Sequence, residues 1–147
     1  MLDAWRPFAL QHELYTNYSV DIIREFHLET CSEEQQKAVI RKFVSDPIED
    51  IELPPVHTTG GAVDLTILDP DGNALEMGSR FDAFTEKTCT AYYETEKNDL
   101  IRENRRMLYW AMTEAEFTNL PSEWWHFSWC LQDICILQSR MDINSMS

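Results

Sequence analysis

The stretch Pro55-Val56-His57-Thr58-Thr59-Gly60-Gly61-Ala62-Val63-Asp64-Leu65-Thr66-Ile67-Leu68 decides how this chain folds. From Ala62 to Leu68 apolar side chains recur at alternate positions and branched residues are frequent, which predicts a strand. Asp69-Pro70-Asp71-Gly72 follows. Proline presets one backbone angle there and glycine accepts a positive one, so the chain turns and Asn73 to Met77 can return as the partner strand. On the other side, Gly60 and Gly61 permit a sharp bend that lets His57 fold back to face Asp64. An aspartate inside an apolar strand needs a partner, because an unpaired buried charge is costly. A cation bound jointly by His57 and Asp64 would supply one. A turn histidine and an aspartate bonded to nearby backbone fit the same residues, which alone leave both readings open.

Working outward, the first third of the chain reads as helical. Pro7 opens a helix over FALQHELYTNYSVDIIREF, since proline suits a first turn where its missing N–H is not needed. Ser32 with Gln35 forms a capping-box pattern ahead of a helix over 33–45, with Ala38, Val39 and Phe43 as its apolar stripe. The prolines and acids between Asp46 and Pro55 predict a connecting loop. Farther on, Leu100, Ile101, Met107, Leu108, Ala111 and Met112 recur at helical spacing over 96–117. Pro121 stops that helix, and the β-prone aromatic run WWHFSW predicts a last strand over 124–130. The closing residues MDINSMS read as a frayed end. Together these elements make an α+β layered domain on a small antiparallel sheet, with helices packed on one side. A length of 147 residues suits one domain, residues 1–147, with a single core.

Composition narrows the partners. Twelve basic against 26 acidic residues leave a net charge of -14, which repels nucleic-acid phosphates and anionic lipid headgroups. No apolar run approaches the roughly 20 residues that span a bilayer, and the opening MLDAWRPFALQHE has no basic n-region followed by an apolar h-region. A cytoplasmic protein with no nucleic-acid or membrane partner is the expectation. Cys31, Cys89, Cys130 and Cys135 lack both a C-x-x-C pair and the density of a disulfide scaffold, so reduced thiols are expected; ligation of a metal by Cys130 and Cys135 would need an unusual spacing.

A hydrolytic zinc site needs three protein ligands, a position for water and a separate carboxylate to take the water's proton. Of the four histidines, His12 and His27 fall within and at the end of the first helix, where solvated side chains are expected. His57 and Asp64 offer one candidate pair. Glu123-Trp124-Trp125-His126 offers the rest of a site. In a regular strand Glu123 and His126 would point to opposite faces, so both can line one site only if Glu123 lies in the loop after Pro121. An exposed glutamate beside a histidine packed among tryptophans is the competing reading.

Taken together, the two clusters resemble the D-alanyl-D-alanine dipeptidases, a zinc peptidase family with a His-x-x-Gly-x-Ala-x-Asp motif followed by Glu-x-Trp-His. The first is His57 to Asp64 here and the second is Glu123 to His126. Asp3-Ala4-Trp5-Arg6-Pro7 resembles the family's Asp-x-Tyr-Arg-Pro segment, Met77-Gly78-Ser79-Arg80-Phe81-Asp82 resembles its substrate segment, and Asn104-Arg105-Arg106 fits its helix. The resemblance implies one zinc ion held by His57, Asp64 and His126, with Glu123 as general base and Arg6 meeting the charge that develops on the scissile carbonyl. It implies that Asp82, with Ser79 in the same segment, binds the dipeptide and receives its free amino group.

Family members usually carry a substantial segment ahead of the arginine motif, which starts at the third residue here. The resemblance therefore implies the hedgehog/DD-peptidase fold shortened at the N-terminus, with a more open pocket or an edge filled by another subunit. An exposed edge favours pairing between chains, which makes a homo-oligomer an expectation. Pro55 stands where the family often has a serine, removing one substrate hydrogen bond. The implied activity is hydrolysis of D-alanyl-D-alanine, in cell-wall recycling or glycopeptide resistance. The alternatives are a zinc D,D-carboxypeptidase acting on cell-wall peptides, or a shortened inactive domain that binds zinc or peptide.

Overall fold

The computed structural model describes residues 1–44, 47 and 54–129. Backbone contacts divide the chain into two units, one formed by Met1–Trp5 with Gly60–Trp129 and one containing Arg6–Thr59.

The first unit is built on a three-stranded antiparallel sheet of order β1-β3-β2, formed by β1 (Ala62–Asp64), β2 (Thr118–Asn119) and β3 (His126–Ser128). In β1 and β3, Ala62, Val63 and Asp64 face Ser128, Phe127 and His126. The first residues add to β1, since Asp3 bridges Asp64 antiparallel, with hydrogen bonds Asp64 N to Asp3 O of 2.9 Å and Leu2 N to Asp64 O of 2.7 Å. Because successive side chains of a strand point to opposite faces, Val63 and Phe127 turn one way and Asp64 and His126 the other. On the Val63 side lies the core, where Phe127, Trp124, Trp125, Met77 and Leu108 are buried together and Leu65, Ile67 and Met112 pack around them.

The expected strand over 62–68 pairs as a strand only through Asp64. Beyond it the chain stays extended into a narrow hairpin, with Leu68 bridged to Ala74 and Leu75 N bonded to Ile67 O at 2.9 Å. The turn forms as its residues require: Asp69 Oδ1 accepts from the amides of Asp71 and Asn73, and Gly72 takes φ +88°.

Helix α5 (Asp99–Glu114) starts where the Asn98 side chain accepts from Ile101 N. Its inward face is Ile101, Asn104, Arg105 and Leu108, whereas Leu100 and Met107 are exposed at 65% and 55%. The apolar stripe expected from sequence is thus corrected: three of its members, Leu100, Met107 and Ala111, are exposed while two polar residues are buried. The strand expected over 124–130 begins only at His126, because Trp124 is drawn into a turn by a bond from its amide to Thr88 O. A 3-10 turn (Glu86–Thr88), helix α4 (Tyr92–Thr95) and β2 have no counterpart in the sequence reading.

The second unit holds helices α1 (Phe8–Glu25), α2 (Glu33–Ile40) and α3 (Val56–Thr59). Pro7 is the N-cap of α1. The capping box of Ser32 and Gln35 forms in full, the hydroxyl accepting from the Gln35 amide and the Gln35 side chain from the Ser32 amide. Helix α2 ends at Ile40 rather than running on to 45. Ile40 and, just beyond, Val44 are buried, and of the expected stripe Val39 and Phe43 are half-buried while Ala38 is exposed. Phe26 stacks on Phe43 at 5.2 Å and Ile22 is fully buried. Of the loop expected over 46–55, only Pro47, Pro54 and Pro55 are described, and Cys130, Cys135 and the MDINSMS end lie outside the described residues. No described helix is long and apolar enough to cross a membrane.

Candidate metal centre

Register places the first two candidates. Asp64 and His126 are cross-strand partners of β1 and β3, so their side chains leave the sheet on the same face. Asp64 Oδ1 lies 3.0 Å from His126 Nδ1, and both residues are buried, at 2% and 6% exposure. His57 sits on the single turn of α3 and is also buried. Gly60, at φ +77°, makes the bend between that turn and β1, a conformation disfavoured for any residue with a Cβ. His57, Asp64 and His126 each offer one ligand atom, and these atoms all lie within 4.8 Å of one another. Two imidazoles and one carboxylate, buried and convergent, make a donor set that suits zinc and leaves a coordination position open.

Glu123 lies before β3 in the turn after Pro121, where its amide donates to Leu120 O at 3.0 Å and its carbonyl accepts from His126 N at 3.4 Å. This turn resolves the parity problem of the sequence, since Glu123 Oε2 comes to 3.9 Å from His126 Nδ1 although the two residues are three apart. Arg6 donates through its backbone amide to His57 O at 3.0 Å, and its Nη1 donates to Oε1 of buried Gln11 at 2.8 Å. Ser79 Oγ accepts from Trp124 Nε1 at 2.9 Å. Asp82 is half-buried and takes φ +54°, a left-handed conformation that costs a residue other than glycine of order 1–3 kcal/mol. His12 and His27 are both exposed.

Sequence reasoning gave Arg105 no role beyond its place in a helix motif. It is 4% exposed, and burial lowers its guanidinium pKa from the ordinary arginine value to about 10, with Tyr93 and Cys89 acting in the opposite direction. It stays a cation at neutral pH. The available signal was a polar Asn-Arg pair at positions 104 and 105, in phase with Ile101 and Leu108 on one helical face.

A buried His–Asp–His set with a carboxylate near it is a donor group that could hold a metal ion. The chain belongs to the D-ala-D-ala dipeptidase family of M15 metallopeptidases, whose model matches residues 8–141. It is similar to proteins named D-alanyl-D-alanine dipeptidase from three bacteria. The Synechocystis protein is 29% identical over 142 residues, covering 87% of this chain and 58% of that protein. The Escherichia coli protein is 34% identical over 64% of this chain and 49% of its own length. The Enterococcus faecium protein is 38% identical over 48% of this chain and 35% of its own. The chain thus spans about half the length of the relatives it matches.

Proposed function

We propose that this chain carries the catalytic site of a zinc dipeptidase that hydrolyses D-alanyl-D-alanine to D-alanine. The reading rests chiefly on one observation: the ligand atoms of His57, Asp64 and His126 converge within 4.8 Å, with the Glu123 carboxylate 3.9 Å from His126. Zinc held by those three residues would act as a Lewis acid on the peptide carbonyl and lower the pKa of water beside it. Glu123, next to the ligand set but outside it, takes the proton of the attacking water and returns it to the departing amine as the C–N bond breaks. Arg6 meets the negative charge that grows on the carbonyl oxygen, a contribution of several kcal/mol in a dry site. Asp82, with Ser79 in the same segment, takes the substrate's ammonium group, so that a free dipeptide is preferred over an acylated one.

The same reading assigns the sheet and helices to the hedgehog/DD-peptidase fold as one catalytic domain. It places the activity in the cytoplasm, in the turnover of cell-wall dipeptides, and allows self-association through a sheet edge.

The test measures zinc in the purified protein and then D-alanine release from D-alanyl-D-alanine and from its N-acetylated analogue, with Glu123→Ala as control. Cleavage of the free dipeptide alone, lost in the variant, is expected. Equal or faster cleavage of the acetylated compound would instead make the protein a carboxypeptidase, and bound zinc with no turnover of either would make it a binder.

A further inference from the structure

Helix α5 sends two adjacent polar side chains into the first unit. Asn104 Nδ2 donates to Glu76 O at 2.9 Å, and Arg105 Nε donates to Met77 O at 2.8 Å. The same guanidinium reaches a second stretch of backbone, through Nη1 to Cys89 O at 2.6 Å and Thr90 O at 3.5 Å, and through Nη2 to Lys87 O at 2.5 Å. Its Cζ lies 4.8 Å from the centre of the Tyr93 ring and 5.8 Å from that of Trp124.

Among the described residues no carboxylate pairs with this buried cation. Its desolvation is instead offset by main-chain carbonyls and aromatic faces. Those carbonyls come from the two ends of one loop, Met77 before it and Lys87 to Thr90 after it. A rigid planar fork with five donors can hold both ends at once, whereas an ammonium presents all its donors from a single atom.

What the loop carries gives the arrangement a purpose. Gly78 opens it at φ +81°, with its carbonyl accepting from Tyr93 Oη at 3.1 Å. Ser79 and Asp82 follow. Trp124, over whose ring the guanidinium lies, is the residue that donates to Ser79. The left-handed backbone of Asp82 persists only where its surroundings impose it.

We propose that Arg105 is a positioning residue for substrate selection: by fastening both ends of the 78–86 loop it holds Ser79 and Asp82 in the geometry that receives the ammonium group, an inference that rests on the role given to Asp82 above.

The experiment compares wild type, Arg105→Lys, Asn104→Ala and, as a stability control on the same helix, Ile101→Val. For each it measures zinc content, kcat and KM on D-alanyl-D-alanine, the preference for it over the N-acetylated analogue, and amide hydrogen exchange. Expected in Arg105→Lys is full zinc content, a KM raised on the order of tenfold with kcat changed less than about threefold, and a preference reduced by the same factor. Exchange over 78–86 is faster than in Ile101→Val. A fall in kcat alone, with KM and preference unchanged, is what a mere loss of folded enzyme gives, and it would overturn the proposal. Should Arg105→Lys not fold, Asn104→Ala is judged by the same shifts in KM and preference. If wild type cleaves neither compound, the dipeptidase reading fails rather than the positioning role, and exchange decides the latter: loop amides as protected in Arg105→Lys or Asn104→Ala as in Ile101→Val would end it.

Discussion

Asp64 Oδ1 and His126 Nδ1 stand 3.0 Å apart across an antiparallel pair of strands, both buried and both on the sheet face opposite Phe127. A carboxylate and an imidazole so placed are positioned by backbone pairing rather than by side-chain freedom, so little entropy would be lost in holding a cation between them.

Asp64→Asn keeps the shape of the side chain and removes its charge. The variant is expected to stay folded by circular dichroism while its zinc affinity falls at least about a hundredfold, given that even residues behind the ligands typically matter at tenfold or more. Competition with a chromophoric chelator measures this, and unchanged affinity would remove Asp64 from the ligand set.

Glu123→Gln should separate binding from chemistry. Zinc content is expected to match wild type, while kcat on the dipeptide falls by about 10²–10⁴, the usual contribution of a general base. Loss of zinc in this variant would instead make Glu123 a ligand.

Gly78→Ala tests the crowded start of the 78–86 loop. A Cβ there would collide with the Tyr93 ring at Cε2, at a backbone φ of +81°. Destabilisation of at least about 1–3 kcal/mol is expected from the backbone alone, read from the denaturant midpoint. Pairing it with Tyr93→Leu should recover part of the loss by removing the ring.

Phe127→Ala deletes a fully buried ring from the centre of the core. A loss of about 3–5 kcal/mol is expected in denaturant titration. A loss below about 1 kcal/mol would mean that the core closes over the gap.

Glu94 and Arg106 supply a pH-dependent control away from the site. The hydrogen bond from Arg106, at 2.6 Å to Glu94 Oε2, holds the Glu94 carboxyl below its ordinary value of 4.5. A depressed folded value means that the stabilisation is complete above 4.5 and is lost as pH falls through the lowered value. Glu94→Gln should therefore melt below wild type at about pH 7 and together with it in strong acid, and the difference should shrink in high salt. A gap that persists in acid would refute the pairing.

Spacing alone leaves the candidate site open, because a turn histidine with a backbone-bonded aspartate fits His57 to Asp64 as well as a ligand pair does, and a packed histidine fits Glu123 to His126; the resemblance is what singles out the set. The strand lengths could not be read from the sequence either. Leu65 to Leu68 has the same β-prone composition as Ala62 to Asp64, and the strand stops after Asp64 because its partner β3 begins only at His126. The inner face of α5 departs from the apolar stripe because hydrophobicity does not alone decide burial: Asn104 and Arg105 go inside with carbonyls to satisfy them. Elements of two to four residues, such as β2, α3 and α4, are shorter than any periodicity can register. Ser79 and Asp82 were singled out only through resemblance, since no local pattern distinguishes them.

The alternation along β1 and β3 divides the labour between neighbours: odd-numbered Val63 and Phe127 supply cohesion, and even-numbered Asp64 and His126 stand on the face of the candidate metal site. A slip of a single position would send imidazole into oil and phenyl toward the candidate metal site, so this protein cannot trade one property against the other by sliding its strands. An engineer can nonetheless address each by parity, recasting the metal's surroundings at even positions while the odd ones keep the molecule standing.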